Sequence, residues 1–123
     1  MKIRTFLFCV ALLLGAAPSV VMAHAIVVES APAVGAVMNG KDFTATLRFN
    51  SRIDHERSRL SLAEGDQPFQ PIEVVNSADE APDLLESKAL TLKPGSYRLR
   101  WQVLAVDGHI TRGDIPFTVQ ADQ

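Results

Sequence analysis

Cysteine is almost absent from this sequence, and its one example lies outside any region that could form a folded domain. The 123-residue chain contains a single cysteine, Cys9, in the middle of an apolar stretch near the N-terminus. One thiol cannot form an intramolecular disulfide or a cluster of thiolate ligands. Packing of a hydrophobic core must therefore stabilise the domain.

An excess of positive charge is also missing. The formal net charge is −2, from 12 Lys and Arg against 14 Asp and Glu, and it becomes more negative if an N-terminal segment carrying Lys2 and Arg4 is removed. Proteins that bind nucleic acid present basic surfaces to the phosphates. We therefore expect no nucleic-acid partner.

The longest apolar run is too short to span a bilayer. Thr5–Ala17 is about 13 residues long, whereas a membrane-spanning helix needs about 20. Lys2 and Arg4 precede the run, and small or apolar residues ending at Ala23 follow it, which is the pattern of a secretory signal peptide. We predict that residues 1–23 are a cleaved signal peptide and that residues 24–123 form one exported, periplasmic domain that is not membrane-embedded once mature.

Beyond residue 24 the apolar residues alternate with polar ones, as in half-buried β-strands. The clearest alternating segments are Phe43–Phe49, Tyr97–Val103 and Ile115–Val119. About seven short strands in about 100 residues predict an all-β fold, a small Greek-key β-sandwich or barrel. The acidic segment Asn76–Ser87 predicts a long loop, with one helical turn at Asp83–Glu86.

His24 would become the first residue after cleavage, and a terminal histidine offers a metal two nitrogens. Its free amine and its ring Nδ1 can close a six-membered chelate ring on one ion. Metal binding displaces any proton that these nitrogens carry. The free amine does not exist before cleavage, so the predicted ligand depends on export.

Asp107-Gly108-His109 is a second candidate element, at the end of the long strand that contains Trp101. Residues i and i+2 of a strand project from the same face, so Asp107 and His109 could reach one ion. The alternative is a solvated turn, since Asp-Gly is a common turn dipeptide. Joined to His24, the two side chains complete a set of three nitrogens and one oxygen that suits Cu(II), with Zn(II) as the alternative.

Other candidate residues have simpler interpretations. His55 lies in a strongly polar stretch and is interpreted as a solvated loop histidine. Met38 would be the only methionine left after cleavage, and one thioether cannot form a methionine-rich Cu(I) site. Trp101 and Tyr97 are expected in the core. Arg98, Arg100 and Arg112 are expected to face solvent.

Several segments of the sequence resemble the CopC-type periplasmic copper-binding proteins. The resemblance covers His24–Val119 and rests on His24-Ala25, Ser30–Ala36 (SAPAVGA), Leu47–Asn50 (LRFN), Pro94–Tyr97 (PGSY), Trp101–Val103 (WQV) and Val106–His109 (VDGH). It implies a cupredoxin-like fold that binds Cu(II) through the amine and ring of His24 with Asp107 and His109. It also implies a role in copper tolerance or uptake, beside a CopD-type inner-membrane copper transport protein.

The sequence departs from this family pattern at three places. The methionine-rich loop of some members is missing, so we predict one Cu(II) ion per chain and no Cu(I) site. Ile26 stands where some members have a further histidine. Ser51 follows Asn50 where members often have a glutamate close to the metal, so the groups that support the ligands can differ.

Two other classes of function compete with copper binding and delivery. A terminal histidine with a second histidine is also the copper brace of oxygen-activating monooxygenases. A carboxylate from Asp107 in the fourth equatorial position would favour Cu(II) and hinder oxygen activation through Cu(I), so Asp107 favours a carrier. A metal-free sandwich used in adhesion or assembly is the third class, and it would make His24 and the Asp-Gly-His element coincidental.

Overall fold

Alternating apolar residues form strands through most of the chain. The computed structural model describes residues 25–39 and 42–121, and this part of the chain contains strands but no helix. Accordingly, none of its segments is a helix long and apolar enough to cross a membrane. The strands are β1 (Val27–Ala31), β2 (Ala36–Asn39), β3 (Asp42–Phe49), β4 (Ile53–Glu64), β5 (Gln70–Ile72), β6 (Leu84–Thr91), β7 (Gly95–Ala105) and β8 (Ile110–Gln120).

The eight strands form two sheets. The smaller sheet has the order β1-β3-β6 and is antiparallel, and the larger has the order β2-β8-β7-β4-β5. Within the larger sheet only the β2–β8 pair is parallel. This confirms the predicted all-β sandwich, with eight strands among the described residues instead of about seven. The short strands β2 and β5 lie at the edges of the larger sheet.

The core lies between the two sheets and is built from their inward-facing side chains. Aromatic rings connect the sheets: Phe49 of β3 meets Trp101 of β7 edge to face at 5.4 Å between ring centroids. Such pairs add about 0.5–1.5 kcal/mol beyond burial of their area. Tyr97 is buried as predicted, whereas Trp101 is only half-buried. The largest fully buried apolar side chains are Phe49, Leu47, Leu60, Leu85, Leu99 and Val103.

Of the three arginines predicted to face solvent from the larger sheet, two are exposed and one is half-buried. Arg100 and Arg112 are exposed, but Arg98 is half-buried and lies over the ring of Phe69. The Arg100 guanidinium donates hydrogen bonds of 2.8 and 3.0 Å to the Asp114 carboxylate. This hydrogen bonding lowers the pKa of Asp114.

The predicted helical turn at Asp83–Glu86 is wrong, because β6 already begins at Leu84. Leu85 and Ser87 both point into the core, so the segment has a strand's period of two, which its acidic residues concealed. The pairing of β6 with β3 contains an irregularity between Thr44 and Thr46. There the Ala45 amide donates to the hydroxyl of Ser87 at 2.9 Å, so a buried side chain satisfies this amide.

Gly113 is required where the indole of Trp101 lies against β8. A Cβ at this position would lie 2.8 Å from Trp101 Cζ2, and the contact with Phe49 restricts the movement of the indole. We therefore expect Gly113→Ala to lower the free energy of unfolding by about 1–3 kcal/mol, the usual cost of overpacking. Urea denaturation measures this loss.

Gly95→Ala is the matched control, because a Cβ there would meet its nearest atom at an ordinary 3.5 Å. At a compatible position, replacing glycine by alanine stabilises by roughly 0.4–1 kcal/mol through the unfolded chain. Equal losses in the two variants would contradict a specific clash at Gly113.

Candidate metal centre

The connection between β7 and β8 is a tight turn that carries two of the predicted ligands. Gly108 adopts a φ of +90°, which a residue with a side chain rarely adopts. Hydrogen bonds from the Gly108 amide to the Ala105 carbonyl, 2.9 Å, and from the Ala105 amide to the His109 carbonyl, 2.8 Å, close the turn. Asp107 and His109 are therefore held on either side of a fixed glycine.

The side chains of Asp107 and His109 lie side by side at the surface. Asp107 Oδ2 is 3.1 Å from His109 Nδ1, and Asp107 Oδ1 accepts a hydrogen bond of 3.0 Å from the His109 amide. Nitrogen and oxygen ligands lie about 2.0–2.2 Å from a bound ion, which places neighbouring donors of one ion about 3 Å apart. The Asp107 and His109 side chains are 31% and 52% exposed, so an ion can approach the pair from solvent.

His24, the third predicted ligand, lies outside the described residues, but the segment that follows it is well defined. Ala25 is 1% exposed, and its carbonyl accepts a hydrogen bond of 2.8 Å from the hydroxyl of Thr111. Thr111 lies two residues after His109, near the start of β8. The segment after His24 thus runs beside the strand that follows the Asp-Gly-His turn.

Asn50 binds the backbone of Ile26, the next residue of this segment. The backbone amide of Ile26 donates to Asn50 Oδ1 at 2.9 Å, and the backbone amide of Asn50 donates to the Ile26 carbonyl at 3.0 Å. Ala25 and Ile26, the two residues that follow His24, are therefore both tied to the body of the sandwich.

Asp107 and His109 by themselves could supply only part of the ligand set of a metal ion. Within residues 25–39 and 42–121, no three His, Cys, Asp or Glu side chains are grouped so that they could hold one ion. A tetrahedral or tetragonal ion needs about four donors. The remaining donors would have to come from outside these residues or from solvent.

A groove beside the first residues of β8 contains the single tryptophan. The groove has a volume of about 530 Å³ and lies between β1 and β8. Ala25, Thr111, Gly113 and Trp101 contribute to its walls. Trp101 therefore lies in the same groove as the residue that follows His24, so its fluorescence can report on this end of the domain.

The interpretation of His55 as a solvated loop residue is wrong, because His55 lies on β4 and is half-buried. Its Nε2 is 2.6 Å from the Leu84 carbonyl and therefore carries the proton. Asn76 donates to the same carbonyl at 2.7 Å and accepts from the Glu86 amide at 2.8 Å. His55 thus belongs to a network that joins β4 to β6, a structural role that its polar neighbours in the sequence did not indicate.

Ser51 directly follows Asn50, which binds the backbone of Ile26. Its Oγ is buried and makes no hydrogen bond within the described part of the chain. A serine hydroxyl carries no formal charge, unlike the glutamate that family members often have here. No electrostatic support from this position is therefore expected.

A two-sheet β-sandwich with an exposed Asp-Gly-His turn at one end defines the general class of this protein, and comparison with known proteins defines its family. The CopC domain model matches residues 27–120. Protein YobA from Escherichia coli K12 is 28% identical over 101 residues, which cover 81% of this chain and 82% of that protein.

Solved structures show the same fold. The CopC structure from Methylosinus trichosporium OB3b has a TM-score of 0.72 and 26% identity, and the match covers 81% of this chain and 97% of that one. PcoC from Escherichia coli, described as a methionine-rich copper resistance protein, has a TM-score of 0.61 and 23% identity, with 80% and 100% covered.

The chain belongs to the CopC family. Proteins of this family bind copper in copper resistance and are not enzymes. The family therefore favours the binding class over the copper oxidase that the two histidines left open, and over the metal-free sandwich.

The different environments of His55 and His109 predict opposite effects of their substitution. His55→Ala removes a hydrogen bond from a half-buried network, so it should cost about 1–3 kcal/mol of unfolding free energy and leave Cu(II) affinity unchanged. His109→Ala removes a half-exposed side chain that is paired with Asp107, so it should cost no more than about 1 kcal/mol of stability and weaken Cu(II) binding strongly. Thermal unfolding and copper titration of both variants measure the two effects. A large loss of copper affinity in His55→Ala would contradict this assignment.

Proposed function

We propose that this protein, once exported, binds one Cu(II) ion through the amine and ring of His24, with Asp107 and His109, and sequesters or delivers copper in the periplasm. The observation that carries the proposal is the contact between Thr111 and Ala25. Through this contact the residue after His24 lies beside the strand that follows the Asp107–His109 pair. His24 and the Asp107–His109 pair, which are far apart in the sequence, can thereby bind the same ion.

The chemistry of this donor set favours Cu(II). Two imidazoles, one amine and one carboxylate provide four nitrogen and oxygen donors, which a tetragonal ion prefers, and Cu(II) heads the affinity order of the divalent first-row metals. Zn(II) would use the same atoms in a tetrahedral arrangement and bind less tightly. The amine must be free and deprotonated, so cleavage after Ala23 is part of the proposal.

The methionine content distinguishes this chain from a relative of similar fold. PcoC is described as methionine-rich, whereas this chain has three methionines, of which only Met38 would follow the predicted cleavage site. A thioether cluster for Cu(I) is therefore not part of the proposal. One Cu(II) ion per chain is the stoichiometry that these residues support.

The cellular setting follows from the family and the N-terminal pattern together. CopC proteins are periplasmic, which agrees with the signal peptide proposed for residues 1–23. A CopD-type inner-membrane copper transport protein is the proposed recipient or source of the ion. The direction of transfer depends on that partner.

A single residue added before His24 tests the terminal chelate. The native terminus should bind Cu(II) at 1:1, and the added residue should weaken binding at least about tenfold, because it removes the amine from the chelate ring. Even indirect changes around metal ligands cost 10–100-fold. Quenching of Trp101 fluorescence provides the titration, and electron paramagnetic resonance counts the nitrogen ligands. Equal affinities in the two forms would overturn the proposed ligand set.

Asp107→Asn tests the role of the carboxylate separately. The variant keeps an oxygen donor of the same size but loses its charge, so Cu(II) affinity should fall about tenfold or more while Cu(I) affinity changes much less. Peroxide release under ascorbate should be absent with the native protein and can rise in the variant. Steady peroxide release by the native protein would instead favour oxygen chemistry.

A further inference from the structure

Two residues that are not predicted ligands bind the backbone of the segment that follows His24. Thr111 donates to the Ala25 carbonyl at 2.8 Å, and Asn50 makes reciprocal hydrogen bonds with the backbone of Ile26 at 2.9 and 3.0 Å. Both come from elements distant in the sequence, 86 residues away for Thr111 and 24 for Asn50. We call these three hydrogen bonds the terminal tether.

Thr111 can reach Ala25 because of its place in the larger sheet. It lies opposite Val103, which is fully buried, and directly opposed residues on paired strands share a face. The Thr111 side chain therefore points toward the interior, where Ala25 is buried. Two residues earlier, His109 belongs to the turn at the surface. One short stretch of chain therefore carries both a predicted ligand and a residue that takes part in the terminal tether.

The tether matters because chain termini are usually poorly ordered unless they are tied down. If the terminus were not held, a metal ion bound by both the terminus and a turn would have to order the terminus on binding. The conformational entropy lost in that ordering would lower the affinity. With Ala25 and Ile26 already held, only His24 itself remains to be placed. The ordering cost is then met by folding instead of by copper binding.

We propose that Thr111 and Asn50 are positioning residues that raise copper affinity by fixing the segment after His24, although neither touches the ion. This inference rests on the proposed function, because it requires His24 to be a ligand. It differs from that function in assigning part of the affinity to hydrogen bonds outside the ligand set. It also predicts that these residues act only when the terminal chelate is available.

A double-mutant cycle tests the inference. Thr111→Val keeps the shape and the strand preference of threonine but removes the donor. With the native terminus it should weaken Cu(II) binding about fivefold, or about 1 kcal/mol, the usual net value of one hydrogen bond. In the protein with one residue added before His24, the same substitution should change affinity less than about twofold, because the chelate that it positions has already been lost.

Conservative variants and spectroscopy separate positioning from general loss of structure. Thr111→Ser keeps the donor and should retain affinity within about twofold of the native protein, less than the value of one hydrogen bond. Thr118→Val, at a half-buried threonine further along β8, is the matched control and should leave affinity unchanged. In Thr111→Val, the nitrogen pattern in the electron paramagnetic resonance spectrum should indicate partial loss of the terminal donors.

Asn50 provides an independent test if Thr111→Val does not fold. Asn50→Ala removes the acceptor for the Ile26 amide and should weaken binding by a similar factor, whereas Asn50→Asp keeps an acceptor and should restore most of it. Thermal unfolding of the copper-free variants shows whether each one is folded at the titration temperature.

The outcomes distinguish the inference from the proposed function. If the added residue leaves affinity unchanged, both fail, because there is no terminal chelate to position. If the added residue weakens binding but Thr111→Val and Asn50→Ala do not, the proposed function stands and the tether is overturned. An equal loss from Thr111→Val in native and extended proteins also overturns it, because Thr111 would then act through the fold.

Discussion

The hydrogen bond between Thr111 and the Ala25 carbonyl connects the beginning of the described chain to its last hairpin. The bond has a neutral donor and acceptor, so its own contribution is about 1 kcal/mol. The bond is important because it holds the segment that begins at Ala25 beside β8. Ala25 is buried at this contact, which fixes the segment against the core. The groove containing Trp101 and the proximity of this segment to the Asp-Gly-His turn both depend on that junction.

Much of the fold could be predicted because a period of two is a local property. Tyr97–Val103 and Ile115–Val119 lie within β7 and β8, where each alternate apolar residue faces the core. β6 was missed because its inward positions include a buried serine, Ser87, and because the segment just before it is acidic, with Asp79, Glu80 and Asp83. The environment of His55 was missed for a different reason, since its partner Leu84 is 29 residues away and is reached only through the register of the sheets.

The proximity of two predicted ligands, Asp107 and His109, could be predicted because they are close in sequence. The spacing of Asp107 and His109 indicated that they could reach one ion, and their side chains do lie together, although in a turn and not on a strand. The contacts of Asn50 and Thr111 with the terminal segment carry no local pattern, because an asparagine after a strand and a threonine within one are both common. Only tertiary structure brings them to Ala25 and Ile26.

In the proposed function, the exposure of Asp107 and His109 would suit a carrier that releases its ion as well as binding it. A buried site would hold copper tightly but would have to open before transfer, whereas these side chains can be approached without disturbing the core. Exposed ligands alone would bind weakly, because each must be ordered when the ion arrives. The glycine-fixed turn and the proposed tether of the segment after His24 would reduce that cost. Affinity and accessibility can then be obtained together, with the rigidity supplied by the sandwich and not by enclosure of the metal.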